Sequence, residues 1–154
     1  MNQNQKKILP VKGIIIAKDS GVPLVSHILD SEIDKNLISG FVSALSFFGK
    51  KNLGQIEEIM IKGLNLDLLI VNKYELIIIM IISPRIDKAD AREEAEKALE
   101  NFYKMFKDKL DGKPKPTSEF IQFEKVLKNQ IREYEEKIKS EKGYSRLLLD
   151  VFKI

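Results

Sequence analysis

Hydrophobic positions along this chain follow two rhythms that alternate in a fixed order. Two short apolar runs, residues 11–18 and 23–29, come first. An amphipathic stretch over 34–50 follows, then three apolar runs at 55–64, 66–72 and 76–83, and from residue 87 onward the spacing is helical. The first run is β-branched and nearly continuous, as expected of a strand covered on both faces. Asp19, Ser20 and Gly21 supply turn chemistry, and Pro23 opens the returning strand of a hairpin.

Between residues 34 and 50, Leu37, Ile38, Phe41, Leu45 and Phe48 recur at three- and four-residue steps. That spacing predicts an amphipathic helix with Asp34 as its N-cap. The same helix is small-sided, with Ser39, Gly40, Ser43, Ala44 and Ser46. Such residues serve close packing on a sheet, a partner-binding face, or both on opposite sides. The run 55–64 mixes charge with apolar residues and reads as an edge strand. The runs 66–72 and 76–83 read as interior strands joined by a tight turn. Strands buried on both faces need helices on both sides.

From Asp87, the residues Ala91, Ala95, Ala98, Leu99, Phe102, Phe106 and Leu110 form one helical stripe, stopped by the segment 111–116. A third helix starts near Thr117, with Phe120, Phe123, Leu127, Ile131, Tyr134 and Ile138 as a heptad-like seam. Gly143 is expected to break it before an apolar tail that holds Leu148 and Phe152. The seam spans too few heptads for a stable intermolecular zipper, so it reads as a helix packed on the sheet.

The fold class is therefore α/β, in the order β-β-α-β-β-β-α-α. A five-stranded antiparallel sheet carries helix 34–50 on one face and helix 88–110 on the other. The expected core is Ile14, Ile16, Leu24, Phe41, Leu45, Phe48, Leu69, Val71, Ile77, Ile79, Ile81, Leu99, Phe102 and Phe106. Residues 1–10 read as a flexible N-terminus, 11–110 as the core, 111–116 as a linker, and 117–154 as a helix and tail packing on the core or a partner.

Composition narrows the class of job. A 44% hydrophobic content with 32% charge suits a globular protein. Net charge is only +3, and both sides of Pro116 mix signs, so no basic lobe marks a nucleic-acid surface. With no cysteine, disulfides and thiolate metal sites are excluded, which fits a reducing cytoplasmic setting. The longest apolar run, 76–82, is far short of a spanning helix, which leaves only peripheral membrane contact.

Chemistry-bearing patterns are sparse. His27 is the single histidine, so a histidine metal cluster is ruled out, and it reads as an ordinary strand residue. Glu57 and Glu58, like Glu93 and Glu94, are adjacent and do not share a face. Ser20 lacks a nucleophile-elbow frame, and the glycines form no phosphate loop. The expectation is no enzyme, no cofactor and no metal.

The segment order, the hairpin phrase Lys18-Asp-Ser-Gly-Val-Pro-Leu24 and the helix phrase Leu37-Ile-Ser-Gly-Phe-Val-Ser-Ala-Leu45 resemble the longin domain, within the longin/roadblock/profilin-like superfamily. Similar phrases appear in archaeal longin- and roadblock-like proteins. A roadblock domain places a helix before its first strand, and the short polar segment 1–10 tips the resemblance toward longin.

The resemblance implies an interaction module that works by assembly, often with small GTPases or another longin, as in vesicle-trafficking scaffolds. It implies a homodimer or a pairing with a related longin or roadblock protein, with a small GTPase as a further partner and no nucleic acid. The candidate interface comprises Lys35, Ser39, Ser43, Ser46, Gln55, Glu57, Ile59, Ile61, Leu148 and Phe152. Two other outlines stay open: a PAS-like small-molecule sensor and a peripheral membrane adaptor.

Overall fold

The computed structural model describes residues 9–54 and 56–152, with side chains through Glu141. Five strands form one antiparallel sheet: β1 (Val11–Lys18), β2 (Pro23–Ile28), β3 (Glu58–Lys62), β4 (Asp67–Lys73) and β5 (Leu76–Ile82). Their order across the sheet is β2-β1-β5-β4-β3, so β2 and β3 are the two edges. Every residue of β5 is buried, which explains its unbroken run of Leu, Ile and Met.

Alternation along the strands divides the core into two layers. Ile15, Ile70, Ile77, Ile79 and Ile81 face helix α1 (Lys35–Asn52), which sends Val42 down among them. Ile14, Ile16, Leu69, Val71, Ile78, Met80 and Ile82 face the other way, toward α2 (Lys88–Leu110) and α3 (Phe123–Phe152). There α2 brings Ala91, Ala95 and Ala98 close to the strands, while Phe102 and Phe106 meet Phe120 and Phe123 in an aromatic cluster. The ring pair Phe102–Phe123 is perpendicular at 5.1 Å. The seam from Phe120 to Ile138 is buried throughout.

Both helix starts expected from the sequence are capped. Asp34 accepts hydrogen bonds from the amides of Asn36 (3.0 Å) and Leu37 (3.1 Å), and Asp87 accepts one from Asp90 at 3.0 Å.

Three expectations need correction. Phe41 and Phe48 are 54% and 61% exposed rather than core, and Leu45 is only half-buried. The isoleucine side chains rising from the sheet fill the layer beneath α1, so the helix must approach through its small residues. Ser39, Val42, Ser46 and Gly49 take the inward side. The third helix begins with one 3₁₀ turn at Thr117–Phe120, and α3 then runs straight through Gly143. A single glycine costs a helix only about 1 kcal/mol relative to alanine, which the surrounding helix formers tolerate. The expectations for residues 1–8, and for the side chains of Leu148 and Phe152, lie outside the described residues.

Candidate interaction surface

The surface begins with how α1 is anchored. Ser43 donates to the carbonyl of Asp19 in the β1–β2 turn at 3.2 Å, and Lys50 pairs with the Asp19 carboxylate at 2.7 Å. Gly21 in that turn has φ +97°, and a Cβ there would sit 2.6 Å from the Cβ of Ser43, so only glycine fits. On the opposite flank, Asn72 of β4 donates to Ser46 Oγ at 3.4 Å and to the Ile56 carbonyl at 2.7 Å. Its backbone amide also donates to the carbonyl of Glu57 at 2.9 Å. Gly49 gives the Ile56 side chain the room that a Cβ would fill.

These clamps fix the rotation of α1. With 100° per residue, an inward Ser39–Val42–Ser46 face turns Leu37, Phe41 and Phe48 outward in one stripe. Leu37 is 73% exposed, and Phe47 and Leu53 are exposed nearby. Phe41 and Leu45 lie on the flank away from Ser43, which is the flank facing β4 and β3. All of these large apolar side chains except Leu45 are more than half in water.

The β3 edge lies beside that flank. Ile59 and Ile61 are half-buried on the α1 side of the sheet, while Met60 packs against the α2 side. Glu58 shares the α2 side, where Arg92 grips it through both Nε and the terminal nitrogen, the latter at 2.9 Å. That pairing raises the Arg92 pKa further above its ordinary value. Lys62 is exposed and ends the strand.

The proposed interface residues separate into three groups. Lys35 and Glu57 are exposed, Ser43 is half-buried and Ile59 and Ile61 line the edge, so these remain on or near the surface. Ser39 and Ser46 do not: each is at most 2% exposed, with Ser39 donating back to the Lys35 carbonyl at 2.7 Å. Their small size serves approach to the sheet, not contact with a partner. Gln55 lies outside the described residues, as do the side chains of Leu148 and Phe152. The outward stripe itself was missed, although Leu37, Phe41 and Phe48 already stood out as periodic.

The remaining candidates show no chemistry brought together. His27 lies 4.0 Å from Glu124 in a half-buried strand position. Glu58 is held by Arg92, and Glu94 accepts from Gln130 at 2.8 Å. Among the described residues, no three acidic or histidine side chains gather to hold a metal ion. An open cleft of about 490 Å³ runs along the β2 edge past Val22, Leu24, Ser26, Lys35 and Glu124. The two core layers on either side of the sheet are packed with apolar side chains.

No protein-family model matches the chain, and no curated protein does. Solved structures do. The chain is similar to a Roadblock/LC7 domain from Streptomyces avermitilis, with TM-score 0.56 and 10% identity over 65% of this chain and 88% of that one. The fold is that of the roadblock and longin domains. Myxococcus xanthus MglB is similar at TM-score 0.55 and 16% identity, covering 66% of this chain and 88% of that one. The gliding protein mglB from Thermus thermophilus follows at 0.52 and 6%, covering 58% and 73%. A likeness of fold does not separate roadblock from longin, and these likenesses do not support the archaeal comparison. Among the described residues, no helix is long and apolar enough to cross a membrane.

Proposed function

We propose that this chain is a non-enzymatic protein–protein interaction module, a small-GTPase-associated scaffold that works as a homodimer or beside a related longin or roadblock chain. The observation that carries the reading is the outward stripe of Leu37, Phe41 and Phe48 next to the open β3 edge. Burying one such side chain is worth about 1.5–3 kcal/mol, so a contiguous stripe left in water marks a contact surface. An unpaired strand edge beside it supplies backbone donors and acceptors for a second chain. The GTPase comes from the longin resemblance rather than from any one residue, and the setting it implies is cytoplasmic assembly of the trafficking kind.

Pull-down of the purified chain against a panel of small GTPases, each loaded with GDP and with a non-hydrolysable GTP analogue, tests the partner. Binding to one nucleotide state that is lost in Phe41→Asp supports it. Binding to no member of the panel refutes the GTPase part. Light scattering that shows only monomer at high concentration refutes the homodimer.

A further inference from the structure

The β2 edge, on the far side of the sheet from β3, is also unpaired, but it lies in a groove. We propose that this groove takes an extended peptide segment of another protein as an added strand antiparallel to β2. The segment carries a basic residue and, two positions later, an apolar one. This inference goes beyond the α1 stripe and the β3 edge and depends on neither.

Backbone geometry sets the register. Leu29 donates to the Lys12 carbonyl at 2.9 Å, continuing the ladder that sets Gly13 against Ile28 and Ile15 against Ser26. Leu29, His27 and Val25 therefore direct their amides and carbonyls at β1, and Ser26 and Ile28 between them turn theirs outward. Among the described residues, neither Ser26 nor Ile28 has a hydrogen-bond partner on that outer side. Such groups are the template on which an extended peptide adds to a sheet.

Two walls flank the edge. Lys35 and Asn36 in the first turn of α1 form one, and Ser118, Ile121 and Glu124, where the 3₁₀ turn leads into α3, form the other. The cleft of about 490 Å³ continues past Ile28 into a second of about 580 Å³, and the two share Ser26, Lys35 and Glu124. A folded partner's sheet would bring its own covering helices against these walls, whereas one extended segment brings only side chains. The walls thus favour a peptide over the β2 edge of another copy.

Side-chain alternation assigns the peptide positions, because residues directly opposite in an antiparallel pair project on the same face. His27 projects on the α3 face, 4.0 Å from Glu124, and Val25 packs into the core layer of that face. A peptide residue opposite His27 meets the Glu124 carboxylate. The residue opposite Val25, two positions further along, meets Ile121, which is left 63% exposed. The intervening residue lies opposite Ser26 beside Lys35 and is polar. Charge agrees with the basic position: around Ile28 the groove gathers Asp30, Glu32, Asp34 and Glu124 against the ammonium of Lys35. Antiparallel pairing continues the pattern of the sheet and is the more stable per residue.

Selection of displayed random peptides about seven residues long against the full chain tests the groove. Wild type should enrich the order basic, polar, apolar, and Glu124→Lys, at an exposed position, should exchange the basic residue for an acidic one. In titrations with the enriched peptide, Ile121→Asp should weaken binding about tenfold. N-methylation of the peptide residue between the basic and apolar positions should do the same, by removing one backbone hydrogen bond. The amide resonances of Ser26 and Ile28 should shift on binding, and Phe41→Asp should bind as wild type does, which separates this groove from the α1 stripe. No enriched sequence, the reverse order, or the same consensus on Glu124→Lys overturns the proposal. So does binding lost in Phe41→Asp, or a concentration-dependent shift of Ser26 and Ile28 without peptide, which would give the edge to a second copy.

Discussion

Lys88 places its Nζ 2.9 Å from Oδ2 of Asp67, a carboxylate only 3% exposed at the start of β4. The same ammonium donates to the carbonyls of Ile86 (2.9 Å) and Pro84 (3.2 Å), so one side chain ties the β5–α2 connection to β4. The Lys88 hydrogen bond holds the Asp67 carboxyl below its ordinary pKa, helped by the Gly63 amide and opposed by burial. A carboxylate with a lowered native pKa contributes stability that is present above its unfolded value, about 3.9, and lost as pH falls through the native one. Asp67→Asn should therefore be less stable than wild type at pH 7, with the gap closing as the pH drops below about 4. Lys88→Met should cost about 3 kcal/mol at pH 7, because it strands the buried charge. Thermal melts across pH 2–7 check both, and a pH-independent gap for Asp67→Asn would refute the linkage.

The two aromatic populations should behave in opposite ways. Phe102 and Phe123 are fully buried in the ring cluster, so alanine at either should cost about 3–5 kcal/mol by chemical denaturation. Phe41→Ala and Phe48→Ala should change monomer stability by less than about 0.5 kcal/mol, because both rings are already mostly in water. Their effect should appear instead as weaker self-association or partner binding. If Phe48→Ala destabilises as much as Phe123→Ala, the stripe is core and the interface reading fails.

Why the sequence foretold α2 correctly and α1 the wrong way round is a matter of layer thickness. Both helices carry a small-residue face, yet α2 also turns Phe102 and Phe106 inward, where Phe120 and Phe123 meet them. Over the other face, the layer is filled from below by Ile15, Ile70, Ile77, Ile79 and Ile81. Periodicity reveals that a stripe exists but not which of two stripes faces the sheet; that choice depends on the volume supplied by strands distant in sequence. The order of elements along the chain, the Asp34 cap and the edge character of β3 were legible because each follows from local pattern and turn chemistry. The bonds of Asn72 to Ile56 and Ser46 were not, since they link residues that only the folded chain brings together.

Asn72 itself supports the candidate edge. Its side chain and amide hold the carbonyls of Ile56 and Glu57, the two residues that lead into β3. Asn72→Ala keeps the backbone bond and removes the side-chain one, which should cost about 1–2 kcal/mol. The loss should be local. Amide exchange is expected to accelerate across residues 58–62 while β5 stays protected. Uniform acceleration over the whole sheet would mean that Asn72 supports the global fold and has no special hold on the edge.

The β4–β5 turn offers a change in the stabilising direction. Tyr74 and Glu75 both adopt positive φ, 60° and 61°, as a two-residue type I′ hairpin requires, although neither is glycine or asparagine. Left-handed backbone costs an ordinary residue about 1–2 kcal/mol, and glycine returns part of that gain through its freer unfolded chain. Glu75 is exposed, and its contribution to the fold is its carbonyl, which accepts from the Asp19 amide at 3.1 Å whatever the side chain. Glu75→Gly should therefore raise stability by about 0.5–1 kcal/mol and lift the melting temperature by a few degrees. Tyr74 is different, because its ring stacks on Tyr103 of α2 with centroids 4.1 Å apart and planes within 10°. Tyr74→Gly relieves the same backbone strain but gives up that stack, so it should be neutral or destabilising. Denaturant melts of the two variants decide the matter: Glu75→Gly at or below wild-type stability would show that the turn is not strained as its backbone angles imply.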